Sequence, residues 1–234
     1  MQAELDEWWQ SKTGAYLLKQ ERAAMNEVLS TIFGYYLVQA GSWGPAGALL
    51  EASPIRSRML LGGCGAVGAA LNGDPLYLPF AGDSVDAVFL PHTLERVAEP
   101  ERVLREAERV LHGEGHLIVL GFHPWGPWGL RRFIGPRVPW SGHFLRAGRL
   151  KEWLNVLGFE TLSVRALAFR PPWQQRLLLV RSAFLDRLAW RATAGAYLLV
   201  AKKRVFSMTP LRARRALPQG AFSGVAKPTT RSMP

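Results

Sequence analysis

Apolar residues recur along the chain at two spacings, one typical of helices and one typical of buried strands. Between residues 3 and 33 they return every three or four positions, which predicts helix, with Gly14 as a break and Gly34 as the end. A largely apolar run at residues 35–39 predicts the first strand, and the 33 positions from Gly41 to Asp74 admit a second strand at residues 58–61.

The centre of the chain has the pattern of a βαβ unit. An apolar run at residues 85–90 leads through a polar turn to an amphipathic helix bounded by Pro100 and Gly113. A second apolar run follows at residues 116–120. Strands that are covered on both faces read as continuous apolar runs, so these two are expected to be parallel neighbours inside a sheet.

The remaining segments continue this alternation. They predict a short helix near residues 45–52, a helix at residues 150–157 ended by Gly158, a strand at residues 159–167, a helix near residues 174–190 and a closing strand at residues 194–201. Strands that alternate with helices are typical of a doubly wound α/β sheet, here of about seven strands. We therefore expect a helical segment at residues 1–34, one α/β domain at residues 35–204 and a disordered basic tail at residues 205–234.

Length and composition agree with one α/β domain. The 234 residues are 48% hydrophobic, enough for a well-filled core, yet no apolar run reaches the roughly 18–20 residues needed to cross a bilayer. The acidic start of the chain argues against a secretory signal. Cys64 is the only cysteine, which rules out an intrachain disulfide and a cysteine-based metal site. We expect a cytoplasmic protein without a bound metal.

Positive charge is concentrated at the end of the chain. Of the net charge of +11, eight Lys and Arg residues lie between residues 201 and 234, where there is no Asp or Glu. Such a tail is either a solvated, disordered end or a contact, through residues 202–231, with nucleic acid or an anionic membrane surface.

Three motifs occur in order and at a characteristic spacing: GDPLYLPF at residues 73–80, DSVDAV at residues 83–88 and LREAERVL at residues 104–111. They resemble the central motifs of class I S-adenosylmethionine-dependent methyltransferases, and most of all the type 11 subgroup, to which the ubiquinone/menaquinone methylases are related. The resemblance implies a Rossmann-like sheet closed by an antiparallel strand. It also implies S-adenosylmethionine as cofactor and methyl transfer to an acceptor that the sequence does not identify.

Two glycine-containing segments compete for the family's cofactor loop. The richer one, at residues 61–68, leaves only nine positions between Gly65 and Asp74, and a parallel crossover needs about a dozen or more. The segment at residues 40–44 leaves 33 positions from Gly41, so it is the predicted loop.

The predicted loop departs from the family pattern. Gly41, Ser42 and Gly44 are its candidate cofactor contacts, but Trp43 would narrow the slot. The acid expected just ahead of the loop is missing, and so is the ribose-binding acid expected after the second strand.

The resemblance assigns the adenine contact to Asp74, with Pro75 and Leu76 beside it. An Asp-Pro pair is also a common turn opener, so a purely structural role stays open. His92 and His123 each follow a predicted parallel strand, at the edge where such sheets bind ligands. Both are candidates for lining a methyl-transfer site or acting as a general base, and His92 is also a candidate cofactor contact. The alternative is a histidine that caps a helix or bonds to a loop.

A loop at residues 124–140 contains four prolines and three tryptophans. It could cover the end of the sheet, line a substrate pocket, or contact nucleic acid or a membrane.

Two functions follow. The first is a methyltransferase, and the second is a methyltransferase-like scaffold that has lost catalysis and binds a partner, with its basic tail as one possible contact with RNA or a membrane. Both rest on one expectation: the turns after the strands near Val38, Leu90 and Leu120 converge on a hollow with room for an adenosyl sulfonium.

Overall fold

A computed structural model describes residues 2–62, 71–130, 142–168 and 194–205. The elements in chain order are α1 (Gln2–Gln10), α2 (Lys12–Leu29), β1 (Tyr36–Ala40), β2 (Ser57–Gly62), β3 (Leu71–Asn72), β4 (Val85–Pro91), α3 (Pro100–Val110), β5 (Leu111–Phe122), α4 (Pro127–Leu130), α5 (Ala147–Val156), β6 (Phe159–Leu167) and β7 (Ala196–Lys203).

The seven strands form one sheet in the order β3-β2-β1-β4-β5-β7-β6. Strands β1 to β5 run parallel, β7 is antiparallel to β5, and β6 is antiparallel to β7. The predicted doubly wound, Rossmann-like sheet is confirmed.

Apolar side chains on both faces of the sheet bury it between helices. In β1, Leu37 points to the face covered by α1 and α2, and the next residue, Val38, points to the face covered by α3 and α5. Both side chains have no solvent exposure. Because strand side chains alternate between faces, a strand covered twice must be apolar at every position, which explains the unbroken apolar runs.

The break between the two N-terminal helices lies at Ser11, three residues before the predicted position. The Ser11 hydroxyl accepts a hydrogen bond from the backbone N–H of Gly14 at 3.1 Å, which caps the start of α2. Gly14 lies inside the first turn of α2, where a β-carbon would be 2.4 Å from the Trp8 carbonyl oxygen. The glycine therefore permits close packing of α1 against α2 instead of ending a helix.

Two further predictions are wrong, one of a helix and one of a helix end. Residues 45–52 form successive turns and no helix, and Gly47 has a φ of +74° that interrupts helical geometry. Helix α3 ends at Val110, and the chain passes straight into β5 at Leu111, which has extended backbone. The residue with positive φ after α3 is Glu114, not Gly113.

Asp86 connects the start of β1 to β4 and β5. Its carboxylate accepts hydrogen bonds from the backbone N–H groups of Tyr35 and Tyr36, both at 2.8 Å, and pairs with Nε2 of His112 at 2.8 Å. Burial alone would raise the pKa of Asp86, but these hydrogen bonds outweigh it and lower the pKa. Asp86 is thus a structural residue of the sheet.

Several predictions lie outside the described residues. They are residues 63–68 of the glycine-rich segment, Trp140, the helix near residues 174–190 and the tail beyond residue 205. Within the described part of the chain, every helix is too short or too polar to cross a membrane.

Candidate functional site

The carboxyl ends of β1, β4 and β5 meet at one edge of the sheet. The Thr93 hydroxyl, just after β4, donates to the carbonyl oxygen of Ala40 at the end of β1 at 2.5 Å. The backbone N–H of His92 donates to the carbonyl oxygen of Leu120 in β5 at 3.0 Å. The predicted convergence of the three turns is therefore observed.

The space between these strand ends is filled by side chains. The Trp43 indole is 2% exposed, and its ring centroid lies 4.2 Å from that of His92 and 5.8 Å from that of Phe122. On its other side it packs against Trp9 of α1, with centroids 4.9 Å apart. Among the described residues, side chains occupy the position of the expected hollow. Trp43 was expected to narrow the slot, and instead it closes it.

His92 lies at the centre of a buried hydrogen-bond network and has no solvent exposure. Its Nε2 is 2.9 Å from Oε1 of Glu21 in α2, and its Nδ1 is 3.0 Å from Oε2 of Glu95. Glu21 also accepts the indole N–H of Trp43 at 2.9 Å, and Glu95 accepts the backbone N–H of Phe122. Each buried carboxylate thus has two donors, as buried charges require.

The two carboxylates keep His92 protonated. Burial alone would lower its pKa, but the charge of Glu95 and the hydrogen bonds to Glu21 and Glu95 outweigh that effect and raise the pKa from 6.5 to about 9. An imidazolium at neutral pH donates both of its N–H groups, so it cannot also accept a proton as a general base. In this arrangement His92 holds α2 against the strand ends, and its ring has no exposed surface that a methyl acceptor could contact.

The predicted cofactor loop keeps part of the expected geometry. Gly41 has a φ of +111°, and a β-carbon there would be 2.4 Å from the Thr93 hydroxyl oxygen. Gly44 has a φ of +69°. Two buried polar atoms of this region, Oε1 of Gln39 and Oγ of Ser42, have no hydrogen-bond partner among the described residues.

Asp74 lies on the surface just after β3. Its carboxylate accepts the backbone N–H of Leu76 at 2.9 Å, and its carbonyl oxygen accepts that of Tyr77 at 2.9 Å. This is the turn expected of an Asp-Pro pair, with Pro75 and Leu76 half-buried inside it. The adenine role of Asp74 stays a prediction, because an exposed carboxylate oxygen is compatible with both interpretations.

The two candidate histidines do not share a site. His123 follows β5, and its backbone N–H donates to the carbonyl oxygen of Gly195 at 2.9 Å. Its half-buried ring lines a separate cavity beside α5, and its Nδ1 has no hydrogen-bond partner among the described residues. Burial, together with the charge of Arg146, lowers the pKa of His123, so it is neutral at neutral pH.

Sequence reasoning missed Glu21 and Glu95. Glu21 lies four residues after the buried Leu17 and four before the buried Met25, on the apolar face of α2. An acid at such a position needs a buried partner, and this was the available signal.

The two described tryptophans of the Trp-rich loop differ in exposure. Trp128 is fully buried and its ring centroid lies 6.2 Å from that of Phe122, whereas Trp125 is 61% exposed.

S-adenosylmethionine does not fit the described residues in this arrangement. The position expected for its sulfonium, between the ends of β1, β4 and β5, is where the Trp43 indole packs on His92. The described end of β2, at Leu61 and Gly62, supplies no acid for the ribose hydroxyls. Across the described ranges, no three His, Cys, Asp or Glu side chains are grouped to hold a metal ion.

Comparisons with known proteins define the family. A family model described as a methyltransferase domain matches residues 58–119. The uncharacterized protein YafS of Escherichia coli (strain K12) is 30% identical over 207 residues, which are 87% of this chain and 83% of YafS. The chain belongs to the methyltransferase family. The predicted resemblance to the class I, type 11 group is thereby confirmed.

Solved structures share the fold of this methyltransferase-family chain at low identity. A S-adenosylmethionine-dependent methyltransferase of Thermotoga maritima, described as a possible histamine N-methyltransferase, has a TM-score of 0.65 with 18% identity, over 87% of this chain and 96% of that one. The [4+2]-cyclase SpnF has a TM-score of 0.53 with 21% identity, over 79% and 80%. At these identities the likeness establishes the fold and not the activity.

Proposed function

We propose that this chain is a ligand-binding member of the methyltransferase family whose cofactor position is closed by its own side chains. One observation carries the proposal: the Trp43 indole is buried against His92, at the edge where the family's cofactor would lie. The network that fixes it there connects α2, the β1 loop and the turn after β4 through Glu21, His92 and Glu95.

The packing of Trp43 is expected to lower the affinity of the chain for the cofactor. Removing a buried tryptophan side chain from a core costs about 3–5 kcal/mol. A ligand that must displace Trp43 faces a comparable cost, and each 1.4 kcal/mol corresponds to about a tenfold change in affinity. Cofactor affinity would therefore fall by about a hundredfold or more, so a site that would otherwise be micromolar becomes submillimolar or weaker.

The fold is compatible with such a role. The structural neighbour SpnF is described as a [4+2]-cyclase, so a chain of this fold need not be described as a methyltransferase. Function has to be argued from the site, and the described site lacks the room and the ribose-binding acid that S-adenosylmethionine needs.

Methyl transfer from S-adenosylmethionine to an unidentified acceptor is the second candidate function. It is favoured by the family and by two polar atoms beside the β1 loop, Oε1 of Gln39 and Oγ of Ser42, for which the described part of the chain offers no hydrogen-bond partner. Asp74, exposed at the end of β3, would then hold the adenine amino group with a charge-assisted hydrogen bond. His123 would line the acceptor side, because His92 is enclosed.

Calorimetric titration with S-adenosylhomocysteine separates the two functions. For the full chain we expect a Kd no tighter than about 100 μM and at most a small thermal shift at millimolar ligand. Micromolar binding that Asp74→Ala weakens at least about tenfold would favour the methyltransferase and contradict closure by Trp43. Glu99→Ala is the control, because it removes the same charge from an exposed residue whose ion pair within the described residues is with Arg102 on the surface.

We also propose that the basic tail contacts RNA or an anionic membrane surface in the cytoplasm, a location that the single cysteine favours. Of the eight cations at residues 201–234, Lys202, Lys203 and Arg204 form ion pairs with acids of the folded domain. The remaining five lie beyond residue 205. Deleting residues 206–234 should therefore abolish salt-dependent retention on RNA or on anionic vesicles. Unchanged retention would exclude the tail.

A further inference from the structure

A cavity of about 1140 Å³ opens beside the carboxyl end of β5. It lies between that strand end, the first turns of α5 and Tyr197 of β7. Phe122 and Phe144 separate it from the closed cofactor position: the Phe122 ring centroid is 4.1 Å from that of His92 and 5.3 Å from that of Phe144, which lines the cavity. The cavity is thus a second space at the same edge of the sheet.

The described lining is positively charged. It contains Arg146, Arg149 and Lys151 against the single acid Glu152, an excess of two positive charges. All four residues are exposed, and within the described ranges no carboxylate lies at ion-pair distance from any of the three cations. Helix α5 begins at Ala147 without a side-chain cap, so its first backbone N–H groups add positive potential at the same place. The cavity therefore favours an anion.

Two aromatic rings form flat walls next to these cations. The guanidinium of Arg146 lies 5.3 Å from the Trp125 ring centroid, and that of Arg149 lies 5.1 Å from the Trp153 ring centroid. Trp125 is 61% exposed, although a large apolar ring is usually covered. A flat ring on a ligand could stack on this exposed face and keep its charged group within reach of the guanidinium.

His123 adds a neutral polar side chain to the cavity lining. Its Nδ1 is buried and has no hydrogen-bond partner among the described residues, which is uncommon for a buried polar atom. A ligand hydroxyl or carbonyl would satisfy it, since a neutral imidazole nitrogen can accept or donate according to its tautomer.

We propose that this cavity binds a small organic anion with an aromatic ring, its carboxylate or phosphate held by Arg146 and Arg149 and its ring stacked on Trp125. This inference rests on the proposed function, because it names the class of ligand that the closed methyltransferase fold would bind. The same chemistry suits a carboxylate or a phosphate ester, so both are tested.

The test is calorimetric titration of the full chain with four probes. 1-Naphthyl phosphate and 1-naphthoate combine ring and charge, 1-naphthol has the ring alone, and inorganic phosphate has the charge alone. We expect one or both of the combined probes to bind at least about tenfold more tightly than either single-feature probe, because charge-assisted hydrogen bonds and stacking then add. Equal binding of 1-naphthol and both combined probes would overturn the proposal.

Variants locate the site. Arg146→Gln and Arg149→Gln should each weaken binding of the tighter combined probe at least about tenfold. Arg105→Gln, on the exposed face of α3 and outside the cavity lining, should leave binding unchanged. If the Arg146 and Arg149 variants behave like the Arg105 variant, the cavity is not the site. Titration of the same samples with S-adenosylhomocysteine tests the proposed function separately, so either result can fail without the other.

Discussion

Replacing Trp43 with alanine should lower the free energy of unfolding by about 4 kcal/mol, within the range of about 3–5 kcal/mol for removing a fully buried tryptophan. The indole is 2% exposed, its ring packs against His92 and Trp9, and its N–H donates to Glu21 at 2.9 Å. The substitution therefore leaves a cavity in the core and also removes one of the two donors that a buried carboxylate needs.

Urea unfolding followed by circular dichroism measures this loss, and a thermal melt gives an independent value. For a chain of this size each 1 kcal/mol lowers Tm by about 2–4 °C, so we expect a decrease of roughly 8–16 °C. Trp125→Ala is the matched control: Trp125 is 61% exposed and should cost no more than about 1 kcal/mol, mainly through its contact with Arg146. Equal, small losses of stability in the two variants would show that Trp43 does not fill the space between the strand ends.

Stability should also depend on pH through His92, whose folded pKa of about 9 lies above the ordinary 6.5. Its contribution is complete below pH 6.5 and is lost as the pH rises through 9, a loss of about 3 kcal/mol that urea midpoints between pH 6 and 9.5 would detect. His92 has a φ of +51°, which Asn tolerates, and Asn does not titrate, so His92→Asn should remove this loss of stability at high pH. If the loss is unchanged in this variant, other groups cause it. Gly41→Ala should cost more than about 2 kcal/mol, because its φ is +111° and a β-carbon would clash with Thr93. Gly148→Ala, in open space inside α5, should instead stabilise by about 0.5–1 kcal/mol, and the same sign for both glycines in urea unfolding would refute this reasoning.

Most of the sheet could be predicted because its signals are local. Strand β6 spans Phe159–Leu167, the same residues that the alternating pattern predicted, and Gly158 before it has the expected positive φ of +81°. Spacing alone assigned residues 58–61 to the second strand, and the structure pairs β2 in parallel with β1. The errors are the helix near residues 45–52, which forms turns instead, and boundaries such as Val110, where the chain enters a strand without a glycine turn.

The closed site could not be predicted because its contacts join distant parts of the chain. Glu21 and His92 are 71 positions apart, and Trp43 meets both from a third segment. The sequence indicated that Trp43 would narrow the space for the cofactor beside the loop. Whether its indole lines that space or fills it depends on how α2 packs over the strand ends. Such packing has no signature in local spacing.

A crystal structure of the full chain grown with excess S-adenosylhomocysteine tests the central claim most directly. The account predicts the Trp43 indole stacked on His92, with ring centroids about 4.2 Å apart, and no ligand density between Gly41 and Asp74. Ligand density there, with the indole rotated away and His92 open to the ligand, would contradict it.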